Sequence, residues 1–417
     1  MLIIIYNALL FFIKPFFPLY LKKRLKNSKE DPIRINEKKA IYPKKEIKQK
    51  LIWFHAVSVG ETISILPLIT ELAKNHSIIL TTSTKSSALI AKNRLPKNSF
   101  HIYAPYDFKD YVTKFLNHFK PYLAIWTESE LWPNLINETK KRGIKTILIN
   151  ARISDKKGLK KISYNFFASK LIKKFDLILP QSKQDLNRLK ELGAKNIKFI
   201  GNLKLDTKPL PYKENLYKEL QSQLKNRVIF LASSTHAGEE KTIAEIHHNL
   251  RKSLKNLITI IIPRHPDRSA EISEFLKNKK LLATTIRSKK EQITSRTDIY
   301  LADTIGELGI FYKLANISFI GGSLVDIGGH NPIEALQFNN VILTGKYTEN
   351  FKEIYINLAK EDAAIICKNP SDLEANIYKL LTDKKLFNKK QKNSKNYLDK
   401  NQNILKDTLK IIAKYLD

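Results

Sequence analysis

Ile258-Thr259-Ile260-Ile261-Ile262-Pro263-Arg264-His265-Pro266 decides the fold class. Its first five residues are all β-branched, and four of them are isoleucine, so the run is apolar on both of its alternating faces. A strand of that kind must be covered on both sides, which is the environment of a parallel sheet. The run stops in proline, guanidinium and imidazole, and open parallel sheets take ligands at the carboxyl ends of their strands. Outward from this segment the same pattern recurs, with short β-rich runs followed by helix-length stretches. Toward the N-terminus of the run lies Val228–Ala232; beyond it come Ile299–Leu301, Ile317–Ile320, Val341–Leu343 and Ala364–Cys367. An earlier series comprises Leu51–Ala56, Ser77–Thr81, Leu123–Thr127, Thr146–Asn150 and Leu177–Pro180. Between the runs lie helices such as Gln184–Leu192, closed by Gly193. Repeated βα units predict two Rossmann-like, doubly wound α/β domains with a ligand cleft between them.

Pro209, Pro211 and the polar stretch Tyr212–Arg227 separate the two series, so the boundary is expected near residues 205–225. The expected division is a segment 1–24, a basic linker 25–50, a first domain 51–210 and a second domain 211–417. A chain of 417 residues has room for two such domains. With 43% hydrophobic and 27% charged residues it can bury real cores. One cysteine, Cys367, excludes a disulfide framework and every multi-cysteine metal site. No short internal repeat is evident, and the lysine-rich tail from Lys384 reads as helix with one solvated face.

Lysine and arginine number 73 against 40 acidic residues, a net charge of +33. Such a surface attracts anions: nucleic acid, acidic membrane or phosphorylated substrate. A lysine-rich genome would give the same excess, so charge alone assigns no partner. The N-terminus narrows the choice. Met1 to Ile13 is almost wholly apolar, and Phe16, Phe17, Leu19 and Tyr20 extend it past Lys14, Pro15 and Pro18. Lys22, Lys23, Arg24 and Lys26 follow, as expected of a segment whose C-terminal flank stays beside anionic cytoplasmic lipid. About 20 apolar residues are needed to span a bilayer, and no cleavage site follows. The reading is a short anchor, spanning or lying in the interface.

The chemistry-bearing residues stand just after the strands. His55-Ala56-Val57-Ser58-Val59-Gly60-Glu61 puts a glycine turn and a carboxylate at a helix start, where Glu61 could be a general base or simply favour the helix dipole. Glu128-Ser129-Glu130-Leu131-Trp132-Pro133 brings two carboxylates to another strand end, able to bind sugar hydroxyls or shift each other's ionisation. Asn150-Ala151-Arg152-Ile153-Ser154 ends a third strand, and Gly201-Asn202-Leu203-Lys204-Leu205-Asp206 carries a lysine near the domain crossing. In the second half, Ala232-Ser233-Ser234-Thr235 is followed by Gly238-Glu239-Glu240, and Pro263-Arg264 offers a planar cation suited to phosphate. Asp303-Thr304-Ile305-Gly306-Glu307-Leu308 and Gly328-Gly329-His330-Asn331-Pro332-Ile333-Glu334 complete the set. The last reads as a helix start with Asn331 as N-cap, Pro332 at N1 and Glu334 closing a capping box, its free N–H groups open to an anion. Dinucleotide and Walker A glycine patterns, a nucleophile elbow, H-E-x-x-H and D-x-D are all missing. His247 and His248 are adjacent, hence on different helix faces, and unsuited to share a ligand.

Together these segments resemble the 3-deoxy-D-manno-oct-2-ulosonic acid (Kdo) transferases of lipopolysaccharide synthesis, in order and over essentially the whole chain. The resemblance implies a two-domain GT-B glycosyltransferase that moves Kdo from CMP-Kdo to a lipid A precursor, lipid IVA. It implies no metal or other cofactor, and a place at the cytoplasmic face of the inner membrane on a single N-terminal anchor. It puts the family's proton acceptor on Glu61 and transition-state roles on Glu128 and Lys204. CMP binding falls on Pro263 and Arg264, on Gly306, Glu307 and Leu308, and on Asn331, Pro332, Ile333 and Glu334. Rival readings are another GT-B enzyme using a UDP-sugar and a lipid acceptor, or a non-enzymatic basic protein of membranes or RNA. No nucleic-acid module is recognisable, and none is expected as partner.

Overall fold

A computed structural model of the protein describes residues 2–27, 30–43, 47, 49–153, 159–206, 209–278 and 282–416. The chain divides into two units: Met1–Thr207 with Asn401–Asp417, and Lys208–Lys400. Ser154 of the third strand-end motif, and residues 207 and 208 within the expected boundary, lie outside the described residues.

In the first unit the strands are β1 (Leu51–His55), β2 (Ser77–Thr82), β3 (Ser99–Tyr103), β4 (Leu123–Thr127), β5 (Lys145–Ala151) and β6 (Leu177–Pro180). All pair in parallel, in the order β3-β2-β1-β4-β5-β6. Helices cover both faces, so Leu51–Phe54 and Leu123–Thr127 are wholly buried. Trp53 of β1 and Trp126 of β4 meet edge to face at 4.8 Å between centroids, and Phe115 packs on Trp53 at the same spacing. Burial of such rings is worth about 1.5–3 kcal/mol each and fixes the register of the two central strands.

The second unit repeats the plan with β7 (Val228–Thr235), β8 (Leu257–Pro263), β9 (Thr284–Ile286), β10 (Ile299–Leu301), β11 (Ile317–Ile320), β12 (Val341–Thr344) and β13 (Ala364–Ile366). Their order is β13-β12-β11-β7-β8-β10-β9, again wholly parallel. Phe230, Phe319, Leu343 and Cys367 belong to one core, so the lone thiol is a packing residue. In each sheet the strand order reverses beside the unit's first strand: between β1 and β4, and between β7 and β11. That reversal is where doubly wound sheets open a crevice.

Two strands escape the sequence reading, β3 and β9. Both are edge strands, Ser-Phe-His-Ile-Tyr and Thr-Thr-Ile, and an edge needs no continuous apolar run.

Two domain limits are corrected. The second domain does not run to residue 417: the helix Ile404–Ala413 belongs to the first unit, where Leu405 N donates to Asp206 Oδ2 at 2.7 Å and Ile404 lies against Gly201. The segment 25–50 is not simply a basic linker. It forms the short helix Ile35–Lys38, and Lys38 and Glu30, both buried, make an ion pair backed by Arg24 at 2.6 Å.

The N-terminal segment is helical over Leu2–Ile13 and Phe17–Lys26, with a 3₁₀ turn at Lys14–Phe16 where Pro15 removes a helical N–H. By length and composition Ile3–Lys26 could cross a membrane. The residues that interrupt its apolar character fasten it to the first unit. Tyr6 Oη donates to Asp107 at 3.0 Å, Asn134 donates to Asn7 at 2.8 Å, and Lys14 pairs with Asp110 at 2.7 Å. Phe17 packs on Tyr106 and Phe108, and Leu21 is buried.

Candidate active site

Ser58 begins the construction in the first unit. It is the N-cap of the helix Val59–Leu72, accepting from Glu61 N at 3.3 Å, and its hydroxyl donates back to Glu61 Oε1 at 2.7 Å. Val57 N and Thr127 Oγ1 donate to Glu61 Oε2 at 2.9 and 3.1 Å. The carboxylate therefore reaches from the helix after β1 to the end of β4, across the strand-order reversal. It is 6% exposed. Burial, then the neighbouring Glu128, push its ionisation upward, against the three hydrogen bonds. A carboxylate so held can accept a proton without reorganising.

Glu128 follows Thr127 in the left-handed region (φ 53°), a conformation that costs a non-glycine residue about 1–2 kcal/mol. The turn is locked by Glu128 N donating to Ile149 O and Arg152 N to Glu128 O. Its carboxylate pairs with the ammonium of Lys204. Lys204 comes from the turn Leu203–Asp206, which is fixed by Leu203 N donating to Asn150 Oδ1 at 3.0 Å. Asn150 itself has φ 51° at the end of β5. So Glu61, Glu128, Asn150 and Lys204, far apart in sequence, belong to one constellation.

A third carboxylate joins it. Glu130 accepts from Trp132 Nε1 at 2.7 Å, and burial with the charges of Glu61 and Glu128 lifts it to about 7. The sequence showed Glu130 beside Glu128 but gave no sign that both would crowd Glu61. His55, one residue from the turn, is core: its Nδ1 lies 2.9 Å from Thr81 Oγ1, and burial lowers it to about 3.

A different set of groups stands at the strand ends of the second unit. Arg264 is exposed after β8, its N–H bound to Thr235 O at 2.9 Å, while Pro263 is buried and can offer only backbone. Gly306, with φ 88°, leaves open space where a side chain would stand. Glu307 is already spent: Arg287 grips it at 3.0 and 2.9 Å and holds it below the usual carboxylate range, with Thr304 adding a hydroxyl. Leu308 opens the helix Leu308–Leu314.

The Asn331–Glu334 segment departs from the sequence reading. The helix is a single turn, Ile333–Leu336, with Pro332 at the N-cap position rather than N1. Asn331 Oδ1 accepts from Ile333 N at 3.1 Å, and its amide meets Glu334 at 3.4 Å, so no reciprocal capping box forms. Pro332 and Ile333 are buried; Asn331 and Glu334 present side chains. One turn carries little dipole, so charge there has to come from side chains. The glycine loop before it is not vacant either. Glu239, fully buried, accepts from the N–H groups of His236, Gly322, Ser323 and Leu324 at 2.7 to 3.0 Å. Beside it, exposed or half-buried, stand the guanidinium of Arg264 and the imidazoles of His265, His236 and His330. His236 and its pairing with His330 were not legible, because the partners are 94 residues apart.

Residues 33–207 match the family described as 3-deoxy-D-manno-octulosonic-acid transferase (kdotransferase). A 3-deoxy-D-manno-octulosonic acid transferase of Rickettsia bellii (strain RML369-C) is 36% identical over 417 residues, 99% of each chain. That of Haemophilus influenzae (strain ATCC 51907 / DSM 11121 / KW20 / Rd) is 32% identical over 376 residues, 88% of this chain and 87% of the other. Among solved structures, a glycosyltransferase of Rickettsia africae ESF-5 has a TM-score of 0.59 at 12% identity, covering 89% of this chain and 99% of that one. The likeness in structure is one of fold, and it is the GT-B fold of two Rossmann-like units. The identity in sequence runs the length of the chain through both strand-end clusters, and the chain belongs to the Kdo transferase family, glycosyltransferases of lipopolysaccharide synthesis.

Proposed function

We propose that the chain transfers Kdo from CMP-Kdo to a lipid A precursor, lipid IVA, with inversion and without a metal ion, Glu61 acting as general base. The observation that carries this reading is the Glu61 carboxylate, fixed by three donors at the strand-order reversal and biased toward proton uptake by burial and by Glu128. The acceptor hydroxyl attacks the anomeric carbon of Kdo as its proton passes to Glu61; the bond to the nucleotide phosphate breaks with its electron pair going to oxygen. Lys204, paired with Glu128, is suited to steady the sugar carboxylate or the developing charge. Arg264 is assigned to the phosphate, which a planar guanidinium binds through two parallel hydrogen bonds. Gly306, Asn331 and Glu334 border the nucleotide, with Leu308 and the backbone of Pro263, Pro332 and Ile333. Glu307, bound to Arg287, shapes that site rather than touching ligand.

The N-terminal helix is assigned to the cytoplasmic face of the inner membrane, lying in the interface. Tyr6 and Arg24 are both tied down, and about 27 Å of helix lies between them, nearly the thickness of the hydrocarbon core. A helix fastened at both ends along a folded unit has no free length to cross. Its other side carries Ile4, Leu9, Phe11, Phe12, Phe16 and Leu19, each more than half exposed, the apolar face of a monotopic anchor.

Mass spectrometry of the products from purified enzyme, CMP-Kdo and a tetra-acylated acceptor tests the reaction. The expected product is the acceptor plus Kdo. Transfer from a UDP-sugar with no use of CMP-Kdo would overturn the donor assignment. For the anchor, replacing exposed Phe11 and Phe12 by serine should release the enzyme from membranes at high salt, which screens the basic surface. Undiminished retention would remove the helix from the membrane contact.

A further inference from the structure

Three strand ends in the second unit converge on two imidazoles. His236 follows β7, Arg264 and His265 follow β8, and His330 lies in the loop after β11; these strands are neighbours in the sheet. His236 Nε2 and His330 Nε2 are 2.8 Å apart, with ring planes within 8° and centroids at 5.1 Å. The rings meet head to head through one N–H···N hydrogen bond. Both are held through their backbone. His236 N donates to Glu239, and His330 O accepts from the buried Tyr355 hydroxyl at 2.9 Å. Gly322 lies beneath them, where a Cβ would stand 3.1 Å from the His330 ring and 3.4 Å from that of His236. Among the described residues neither Nδ1 has a protein partner, and no group of His, Cys, Asp or Glu is arranged to hold a metal.

A neutral pair of this kind shows the outside one Nδ1–H donor and one bare Nδ1 acceptor. Adding one proton turns both outward atoms into donors and puts a positive charge between the rings. We propose that the His236–His330 pair is a proton-sharing phosphate receptor, which takes up one proton when the phosphate of the nucleotide binds beside Arg264. This rests on the CMP-site reading above and adds two binding residues and a proton to it.

The charges facing the pair fit. His265 stands edge-on to His236 at 5.7 Å, and Arg264 and Arg268 add positive charge, Arg268 being neutralised by Glu240 and Glu271. Burial first, and then these cations, hold the empty pair deprotonated: His236 is lowered and His330 falls to about 4. A bound phosphate reverses the balance by supplying the negative charge that the pair lacks. The linkage sign follows: affinity rises as pH falls toward the empty pair's own ionisation, and declines as pH rises through the value in the complex. In the transfer step the leaving phosphate gains one negative charge when its bond to Kdo breaks. The shared proton is then opposite that charge, while Glu61 holds the proton from the acceptor.

Calorimetry of CMP binding to the full-length enzyme at pH 7, in buffers of different ionisation enthalpy, counts the protons taken up. The wild type should take up about one-half to one proton, with no variant needed. The double variant His236→Gln with His330→Gln keeps a hydrogen bond but cannot carry the proton, whereas either single change leaves one imidazole that can. The double variant should abolish the uptake, weaken CMP roughly tenfold at pH 6.5 and flatten the pH dependence. Arg264→Ala should weaken CMP while leaving proton uptake in place. Arg264-dependent CMP binding without proton uptake would sink the histidine proposal alone. No CMP binding by folded wild type would remove the nucleotide site and the proposal together.

Discussion

Val59-Gly60-Glu61 and Ala237-Gly238-Glu239 are the same device used twice with opposite results. Each glycine–glutamate pair opens the helix after its unit's first strand, and each carboxylate reaches across the strand-order reversal to the next central strand, β4 or β11. Glu239 finds three backbone N–H groups there, takes a fourth from His236 on its own side, and is fully buried. Glu61 finds one backbone N–H and two hydroxyls, with two more carboxylates close by. A carboxylate saturated by rigid donors is mortar for a loop. Burial raises the ionisation of both, but only at Glu61 does a neighbouring carboxylate charge add to it. The surroundings add to the contrast, since the strand ends beside Glu239 carry His236, Arg264, His265 and His330.

The sharpest break in the comparison is a conservative amide at each position. Glu61→Gln should lower turnover by about 10²–10⁴, the usual worth of a positioned base, with CMP affinity and melting temperature near wild type. Glu239→Gln should do the opposite. Its NH₂ would face N–H donors it cannot accept from, costing about 2–4 kcal/mol of stability and loosening the loop. Thermal melts and steady-state kinetics on both variants check the pair. A folded Glu61→Gln enzyme with near-normal turnover would refute the catalytic assignment.

Arg264→Ala comes next. With the phosphate role proposed for Arg264, removal of its exposed guanidinium should raise KM for CMP-Kdo roughly tenfold and lower kcat less, through loss of one charge-assisted contact. Unchanged kinetics at sub-saturating donor would take Arg264 out of the site.

The strands of both sheets were readable because central parallel strands must be apolar on both faces, as Ile258–Ile262 is. Glu61 was readable for a different reason: a glycine turn and an acid right after such a strand leave few places for the side chain to go. Its partnership with Thr127, and that of Glu128 with Lys204, depends on which strands become neighbours. No local pattern carries that. The one-turn helix at Ile333–Leu336 was misread because Asn331, Pro332 and Glu334 have capping residue types, while Ile333 is drawn into the core and the chain turns away after Leu336. The return of Ile404–Ala413 to the first unit hangs on Asp206, some two hundred residues earlier. The likeness of the two Gly-Glu turns was equally hidden, since hardly more than those two residues are shared.

The smallest expected effect is the most specific to the carboxylate cluster. Glu130 lies at about 7, raised by burial first and then by the charge of an already ionised Glu61, whereas the charge that raises Glu61 is that of Glu128. As the proposed base, Glu61 works only when ionised, so turnover should rise with pH through its raised ionisation and be lost as pH falls below it. Glu130→Gln replaces a group that is still protonated while Glu61 ionises and keeps an acceptor for the Trp132 N–H, so Glu61 should ionise where it did. The acidic limb of the kcat profile should therefore stay within about 0.2 pH unit of wild type, with the plateau nearly unchanged. Trp132→Phe, which removes the hydrogen bond that favours ionised Glu130, should raise Glu130 further and likewise leave the limb in place. A limb that moves down in Glu130→Gln would mean that Glu130 ionises before Glu61 and supplies part of the repulsion that sets Glu61 apart from Glu239.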